Sequence, residues 1–237
     1  MFHYFVHGEQ RNASGQGSSG PVARRPRGPD SSWRQYPGAV TTTARLTQAL
    51  TSSTDPSMRP LPDRVAELLL LLDCPPRLAA HLRAVHDVAH QLVDWTEQHG
   101  PALHVDREAV LFGAATHDIG KIVHTTELSG PGSAHEEAGQ LLLLSHGVGP
   151  ELARFAATHA SWTASSVDIE DLLVSLADKV WKNKRVPDLE DLVVARLAGA
   201  GGREVWEEFI ALDELLTGIG DDADQRLAFQ ASFPVHG

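Results

Sequence analysis

Residues 106–121 read Asp-Arg-Glu-Ala-Val-Leu-Phe-Gly-Ala-Ala-Thr-His-Asp-Ile-Gly-Lys, and this stretch guides the interpretation of the whole chain. Its apolar residues recur at three- and four-residue steps, which predicts an α-helix. Asp106 suits the N-cap, and Gly120 weakens the other end. The helix delivers His117 and Asp118 to its end, about 100° apart around its axis. A His-Asp pair alone is weak evidence for a site, so its surroundings matter.

The same periodicity continues on both sides of this stretch, and no run alternates convincingly with period two. The sequence therefore predicts an all-α fold, a single bundle of about eight helices within residues 59–237. The predicted helices cover residues 63–72, 77–98, 106–121, 133–145, 150–159, 168–184, 189–197 and 203–217. A Ser-Gly-Pro-Gly loop at 129–132 separates the third helix from the fourth.

Residues 1–58 differ from the rest, because they are rich in Gly, Ser, Thr, Pro and Arg without an apolar period. We expect this segment to be disordered, since it cannot bury enough apolar surface to fold. Met58 stands where the globular pattern begins and is the only methionine besides Met1. One hypothesis is that translation starts at Met58 and that residues 1–57 are an upstream extension. The alternative is a flexible tail, and the intact mass of the native protein separates the two.

The composition excludes several classes of function. The formal net charge is -11, so polyanions such as long nucleic acids and membrane surfaces are repelled. A small anionic substrate in a local basic pocket remains compatible with this charge. One cysteine cannot form an internal disulfide, the apolar run 68–72 is too short for a membrane span, and the N-terminus lacks a secretory pattern. We therefore expect a cytoplasmic protein.

Further histidines and aspartates fall at predicted helix ends. Asp178 follows the apolar run 172–177, and a carboxylate at the buried end of such a helix must be paired or bind a cation. His135 opens one predicted helix, His159 closes another, and His81 lies on the helix that spans residues 77–98. Imidazole and carboxylate together suit Zn, Mn, Fe or Co, and the lack of further cysteines argues against a thiolate site.

Taken in chain order, the candidate metal ligands are His81, His117 and Asp118 in His-Asp-Ile-Gly-Lys, His135, His159, and Asp178 in Leu-Ala-Asp-Lys. This pattern resembles the HD-domain phosphohydrolase superfamily over roughly residues 60–200. The resemblance implies that the first histidine, the His-Asp pair and the last aspartate bind one metal ion. Members with two further histidines bind a second ion, so it also implies a dinuclear site of Fe, Mn, Co or Zn, or of Mg, with Asp118 bridging.

Two histidines compete for the first position, His81 and His86. The family's first histidine is usually followed by small or apolar residues four and eight positions later, and Val85 and Ala89 fit this spacing from His81. From His86 the same positions hold a histidine and an aspartate, which fit badly. We therefore choose His81 as the ligand and expect His86 to lie behind the ligands or to face the substrate.

The chemistry that the resemblance implies is hydrolysis of a phosphate ester by a metal-activated water, with Asp118 and Lys121 as catalytic residues. Lys121 lies one turn beyond the His-Asp pair, where it could bind a phosphoryl oxygen or protonate the leaving oxygen. The candidate substrate-binding residues are His86, Lys121, Trp162, Lys179, Lys182 and Arg185. The structural alternative is that the cations stabilise helix C-termini and that Trp162 belongs to the core or its rim.

The predicted substrate is a nucleotide or another small phosphate ester. Two other functions fit the same ligands: an HD-type di-iron oxygenase, and a non-enzymatic sensor domain that binds a metal and a nucleotide. Strict dependence on oxygen would identify the oxygenase, and nucleotide binding without turnover would identify the sensor. We expect no long nucleic acid and no membrane as partners, and the sequence is compatible with a homo-oligomer.

Overall fold

The computed structural model describes residues 41–100, 102–163 and 167–235. Within these ranges the chain forms α-helices and 3-10 turns and has no β-strand. The helices are α1 (Thr42–Thr51), α2 (Asp63–Leu71), α3 (Pro76–His99), α4 (Arg107–Thr116), α5 (Ala134–Ser145), α6 (Pro150–Ala153), α7 (Phe155–Thr158), α8 (Ile169–Val180), α9 (Pro187–Gly201), α10 (Val205–Asp221) and α11 (Ala223–Ala231). The 3-10 turns are Ile119–Ile122 and Thr125–Leu128. The predicted all-α fold class is confirmed.

All the predicted helices are present; α9 and α10 each end four residues later than predicted, and three others are shorter or divided. The third stops at Thr116, because Asp118 leaves the helical region, with φ -100° and ψ 9°, before the first 3-10 turn. The fifth is divided at Arg154 into α6 and α7. The sixth stops at Val180, and Asn183 follows in a left-handed conformation with φ 56°. Asparagine enters that region more readily than most residues, so it suits the end of a helix.

The predicted disorder of residues 1–58 is wrong for the part that the structure describes. α1 lies inside that segment, and its residues Leu46, Ala49 and Leu50 are buried. Their spacing of three and then one residue places them on one face of the helix, and this short apolar face packs against α3. Residues 1–40 lie outside the described residues.

A buried arginine fixes the chain that follows α1. Arg83 of α3 is 4% exposed and donates hydrogen bonds to the carbonyls of Ala49, Ser52, Met58 and Arg59. A chain that starts at Met58 would lack α1 and two of these four acceptors. Residues 41–57 therefore contribute to the fold, and the start of translation at Met58 stays a hypothesis.

The central element is α3, which packs against α1, α4, α8 and α11. One core cluster lies between α3, α4, α8, α9 and α10, and a second joins α3 to α1, α2 and α5. Because neighbours surround α3, even its polar residues His81, Arg83, His86 and Asp87 are buried. Buried polar groups need partners, which makes this helix the natural place to look for a site. No helix in the described ranges is long and apolar enough to cross a membrane.

Candidate metal centre

Six buried side chains from separate parts of the chain converge next to α3. His81 belongs to α3, His117 and Asp118 to the turn after α4, His135 to the start of α5, His159 to the end of α7, and Asp178 to the last turn of α8. Each of the six is at most 7% exposed. Five of them form two groups suited to a metal ion, and both groups include Asp118.

The first group surrounds one oxygen of Asp118. The Nε2 atoms of His81 and His117 lie 3.3 Å apart, and Asp118 Oδ2 is 3.1 Å from His81 Nε2. Asp178 completes the group, with Oδ1 3.5 Å from His117 Nε2 and 3.7 Å from His81 Nε2. Two imidazole nitrogens that bind one ion at about 2.1 Å stand about 3.0–3.4 Å apart, depending on coordination geometry. The observed separation of the two imidazoles fits this arrangement.

The second group surrounds the other oxygen of Asp118. Oδ1 lies 3.1 Å from His135 Nε2 and 3.6 Å from His159 Nε2. Although His135 Nε2 is close to this oxygen, the two atoms are not aligned for a hydrogen bond, and the nitrogen is buried without a hydrogen-bond partner among the described residues. This is the arrangement expected of two ligands that face a common cation. The carboxylate of Asp118 is thus shared between two pairs of histidines.

The other ring nitrogen fixes the orientation of three histidines. His117 Nδ1 lies 2.9 Å from the carbonyl of Ala114, and His159 Nδ1 lies 3.1 Å from the carbonyl of Ala156. A carbonyl only accepts, so each Nδ1 carries the proton and each Nε2 keeps its lone pair free for a metal. His135 Nδ1 instead lies 2.6 Å from a carboxylate oxygen of Glu127.

Gly120 lets the first 3-10 turn approach α5 closely. A Cβ at this position would overlap the main-chain carbonyl of His135 and stand 2.5 Å from the main-chain nitrogen of Gly139. Glycine alone fits such a contact between two backbones. The contact holds Asp118, two residues earlier, next to the start of the helix that carries His135. Gly120 therefore has a packing role, in addition to the predicted effect on the end of α4.

A buried clamp joins the helices that carry His159 and Asp178. Asp171 of α8 is 2% exposed and accepts hydrogen bonds from Thr158 Oγ1 at 2.7 Å and from Arg154 Nη2 at 3.2 Å. Thr158 directly precedes His159, and Asp171 lies two helical turns before Asp178. The clamp therefore holds the second group of ligands at a fixed place relative to the first.

The carboxylates of the cluster are held in their ionised form. Burial alone would raise the pKa of Asp118, but the imidazoles of His117, His135 and His81 outweigh it and hold the pKa well below its usual range. For Asp178, burial also opposes ionisation, but the neighbouring imidazole of His117 and the ammonium group of Lys179 lower the pKa. Both side chains are therefore anionic at neutral pH, which is the form that binds a cation.

The histidines divide by their surroundings. Burial lowers the pKa of His159 to about 4, and it also lowers the pKa of His81, so both rings are neutral at pH 7. Burial would lower the pKa of His135 as well, but the carboxylates of Asp118 and Glu127 raise it. Protonation therefore competes with cation binding more strongly at His135 than at His81 or His159.

The donors fit divalent cations. Four imidazole nitrogens and three carboxylate oxygens face one another with little access to water, and no sulfur ligand takes part. Buried carboxylates need a compensating charge, and a mixed nitrogen and oxygen set suits divalent transition metals. His81, His117 and Asp118, with Asp178 beside them, could hold a metal ion, as could Asp118, His135 and His159.

A cavity of about 430 Å³ opens onto the cluster, a volume typical of sites for small molecules. Its walls contain five of the six candidate ligands, together with the cations Arg77, Lys121, Lys179 and Lys182. Lys121 Nζ lies 2.5 Å from Asp118 Oδ2, and Lys179 Nζ lies 2.6 Å from Asp178 Oδ2. Three of the predicted substrate-binding residues, Lys121, Lys179 and Lys182, therefore line this cavity.

Two of the predicted substrate contacts, His86 and Arg185, are wrong because neither side chain lines this cavity. His86 lies five residues after His81, about 140° around α3, and lines a different cavity next to His90. Arg185 forms ion pairs with Glu190 at 2.6 Å and with Asp213 at 2.7 Å. The structure thus places His81, and not His86, beside the other ligands.

Trp162 is also absent from the wall of the cavity, so its predicted stacking on a substrate is corrected. The side chain packs on the core, and Lys179 Nζ lies 5.6 Å from its ring centroid. Trp162 thus supports a lysine that lines the cavity.

Sequence reasoning missed two residues of this site, Glu127 and Arg77. Arg77 lies four residues before His81, a spacing that places both on one face of α3 and could have identified it. Glu127 stands in the 3-10 turn between α4 and α5, and no pattern along the chain connects it to His135.

The comparisons agree with this geometry. The family model of the HD domain matches residues 78–181, a range that contains all six candidate ligands. No curated protein and no solved structure gives a significant match to the chain.

Proposed function

Because residues 78–181 are an HD domain, this chain belongs to the HD-domain superfamily of metal-dependent phosphohydrolases, and we propose that it hydrolyses a nucleotide or another small phosphate ester. The observation that carries the proposal is the division of the Asp118 oxygens between two pairs of histidines. Two divalent ions held there would lower the pKa of a water and neutralise charge on phosphoryl oxygens.

The cavity supports an anionic substrate in an otherwise acidic protein. The chain has a net charge of -11, yet its cavity is lined by Arg77, Lys121, Lys179 and Lys182 against three carboxylates, Asp118, Glu136 and Asp178. Bound divalent ions would make this surface more positive still. A phosphate group is the small anion that such a concentration of Lys and Arg favours.

Lys121 has two roles in the proposal. Its ammonium group donates to Asp118 Oδ2, which helps to keep the bridging carboxylate in place and ionised. The same group reaches the cavity, where it would donate to a phosphoryl oxygen or give a proton to the leaving oxygen. Lys179 makes the equivalent contact to Asp178.

Trp181 helps to orient the site, and too little of its ring is exposed to stack on a base. It is 3% exposed, and its ring meets the ring of His81 edge-to-face with centroids 4.9 Å apart. We assign Trp181 the task of holding His81 in the orientation that directs Nε2 towards His117. Recognition of a base or another leaving group would then fall to the apolar wall that Leu78, Leu128 and Leu227 form.

The test is phosphate release from a panel of nucleotides and small phosphate esters. Metal-stripped protein is reloaded with Mn, Fe, Co, Zn or Mg, and Asp118→Ala serves as the control. Because Asp118 belongs to both groups, we expect this variant to lose both ions and all turnover. Phosphate release that persists in Asp118→Ala, or full metal content in that variant, would overturn the proposal.

Two further measurements separate the alternatives. His135→Ala should lose mainly the second ion, and an unchanged metal content would reduce the site to one ion. Turnover under nitrogen with Mn or Co would exclude oxygen chemistry, whereas product formation that requires both iron and oxygen would replace the hydrolase by an oxygenase. Nucleotide binding without turnover under any of these conditions would indicate a sensor.

A further inference from the structure

The four cations of the cavity differ in what they contact. Lys121 and Lys179 pair with the ligand carboxylates of Asp118 and Asp178. Arg77 and Lys182 also line the cavity, but neither forms a hydrogen bond or an ion pair with a carboxylate among the described residues. The nearest recorded partner of Lys182 is the ring of Trp181, whose centroid lies 5.7 Å from Nζ. Two positive charges are therefore free to bind an anion.

These two cations hold matching places around the first group of ligands. Arg77 lies four residues before His81, and Lys182 lies four residues after Asp178. Four helical residues span about 6 Å, so Arg77 stands about one turn of α3 from His81. Both line the same cavity, so they lie on the side of the ligands from which a substrate enters. Arg77 lies in the first turn of α3 and Lys182 in the turn that follows α8, so both are well placed to hold a group next to the reacting phosphate.

The start of α3 adds to the positive character at Arg77. This residue lies in the first turn of a helix that is 24 residues long, and the main-chain N–H groups of a first turn carry partial positive charge. The guanidinium group also offers a planar pair of donors that matches two oxygens of one phosphate. Trp181 also lines the cavity, directly before Lys182 in the sequence, and its buried Nε1 has no acceptor among the described residues.

We propose that Arg77 and Lys182 form a second anion subsite, and that the substrate carries a second phosphate group beside the one that reacts. The inference rests on the proposed function of the site as a phosphohydrolase. It assigns the substrate to the nucleoside diphosphates, dinucleotides or other compounds with neighbouring phosphates. A monophosphate with an uncharged leaving group would occupy the metal centre and leave this subsite unused.

The test compares ligands with one and two phosphonate groups. Binding of methylphosphonate and methylenediphosphonate, which are not hydrolysed, is measured by calorimetry with metal in constant excess, so that chelation is the same for every variant. We expect the diphosphonate to bind the unaltered protein more tightly, and Arg77→Gln or Lys182→Gln to reduce this preference about tenfold or more. Arg77→Lys should lose less of this preference, because lysine keeps the positive charge but lacks the planar pair of donors. Lys184→Gln removes a nearby exposed charge outside the cavity and should change nothing.

Kinetics on the same variants separate this inference from the proposed function. Arg77→Gln and Lys182→Gln should lower kcat/KM for a nucleoside diphosphate about tenfold more than they lower kcat/KM for p-nitrophenyl phosphate. If both esters are hydrolysed and no variant changes kcat/KM for one substrate more than for the other, the subsite is overturned and the hydrolase is kept. A lost binding preference without hydrolysis of any ester would keep the subsite and overturn the hydrolase. An unchanged preference in Lys182→Gln, an exposed position that tolerates substitution, would by itself remove Lys182 from the proposal.

Discussion

Glu127 performs two tasks with one carboxylate. It accepts hydrogen bonds from the main-chain N–H groups of Ala134 and His135, at 3.2 and 3.1 Å, and so caps the start of α5. It also holds His135 Nδ1 at 2.6 Å, whereas His117 and His159 are oriented by main-chain carbonyls. A carboxylate behind an imidazole makes the ring a stronger donor towards a metal. Glu127 therefore supports the second group of ligands and has no contact with the first.

Replacement of Glu127 should weaken the second ion selectively. In Glu127→Gln the side chain keeps its length but loses its charge, and we expect affinity for the second ion to fall about 10–100-fold while the first ion stays bound. Metal titration followed by elemental analysis measures both ions. Glu136→Gln is the matched control, since Glu136 lines the cavity without an ion pair among the described residues. Equal loss of both ions would contradict a role limited to His135.

His86 makes the stability of the folded protein depend on pH, independently of the metal centre. Burial lowers the pKa of His86 to about 3, from an ordinary value near 6.5. The unfolded chain therefore takes up a proton as the pH falls from 6.5 towards 3 while the folded chain does not, so stability is lost over that window. The loss reaches at most about 1.4 kcal/mol at pH 5.5.

The His86→Leu variant should lose part of this dependence. We expect its melting temperature to fall less between pH 7.5 and pH 5.5 than that of the unaltered protein. The His104→Leu control replaces an exposed ring and should retain the full decrease. An identical decrease in all three proteins would mean that His86 is protonated inside the fold at mild acidity.

At the scale of residues, the sequence identified what lies on a regular element or in a recognisable motif. His81, Asp178 and the His117-Asp118 pair could be identified because each is a polar group on or at the end of a helix with apolar neighbours. Glu127 could not be found in this way, because its partner His135 is reached only when the loop between α4 and α5 folds back. The prediction for His86 was wrong because histidine is a common site residue, whereas the position of His86 around α3 directs this ring into a different cavity.

At the scale of elements, the close contact between the first 3-10 turn and α5 decides how the two groups of ligands meet. Gly120→Ala would place a methyl group against the main-chain carbonyl of His135, which cannot move without shifting α5. We expect a loss of stability of about 1–3 kcal/mol, as in other overpacked sites, and weaker binding of the second ion.

Urea denaturation and metal titration test the effect of Gly120→Ala. Gly218→Ala in α10 is the matched control, because a Cβ there meets nothing within 4 Å. That control should be neutral or slightly stabilising, since alanine restricts the unfolded chain. Gly120→Ala with unaltered stability and metal content would show that the contact is dispensable.

The two helices that the sequence did not predict show where apolar periodicity is insufficient. α11 is anchored by Arg226, which is 1% exposed and donates to the main-chain carbonyls of Trp181 and Ile219. A pattern that treats arginine as a surface residue cannot detect an element held in this way. α1 has a short apolar face among Thr and Gln, and its burial depends on Arg83, which is distant in sequence. The other helices have longer apolar faces and were found.

At the scale of the whole molecule, elements from both ends of the described chain pack on the helix that carries His81. α1 and α11 both contact α3, and buried arginines fix the segment after α1 and the position of α11. α11 also contributes Leu227 and Gln230 to the wall of the cavity. The stability of the terminal helices is thereby coupled to the shape of the site, although neither supplies a candidate metal ligand.

This coupling gives a prediction for two shortened proteins, residues 41–237 and residues 58–237. The shorter protein lacks α1, whose Leu46, Ala49 and Leu50 are buried, and it removes two of the carbonyls that accept from Arg83. Since a buried leucine contributes about 1.5–3 kcal/mol, we expect the free energy of unfolding to differ by about 3–6 kcal/mol. Chemical denaturation of both proteins measures the difference. Equal midpoints would mean that α1 contributes no net stability.

In the full-length chain, Leu46→Ala should be destabilising, whereas Arg45→Ala at an exposed position of the same helix should not be, because only the first leaves a cavity against α3.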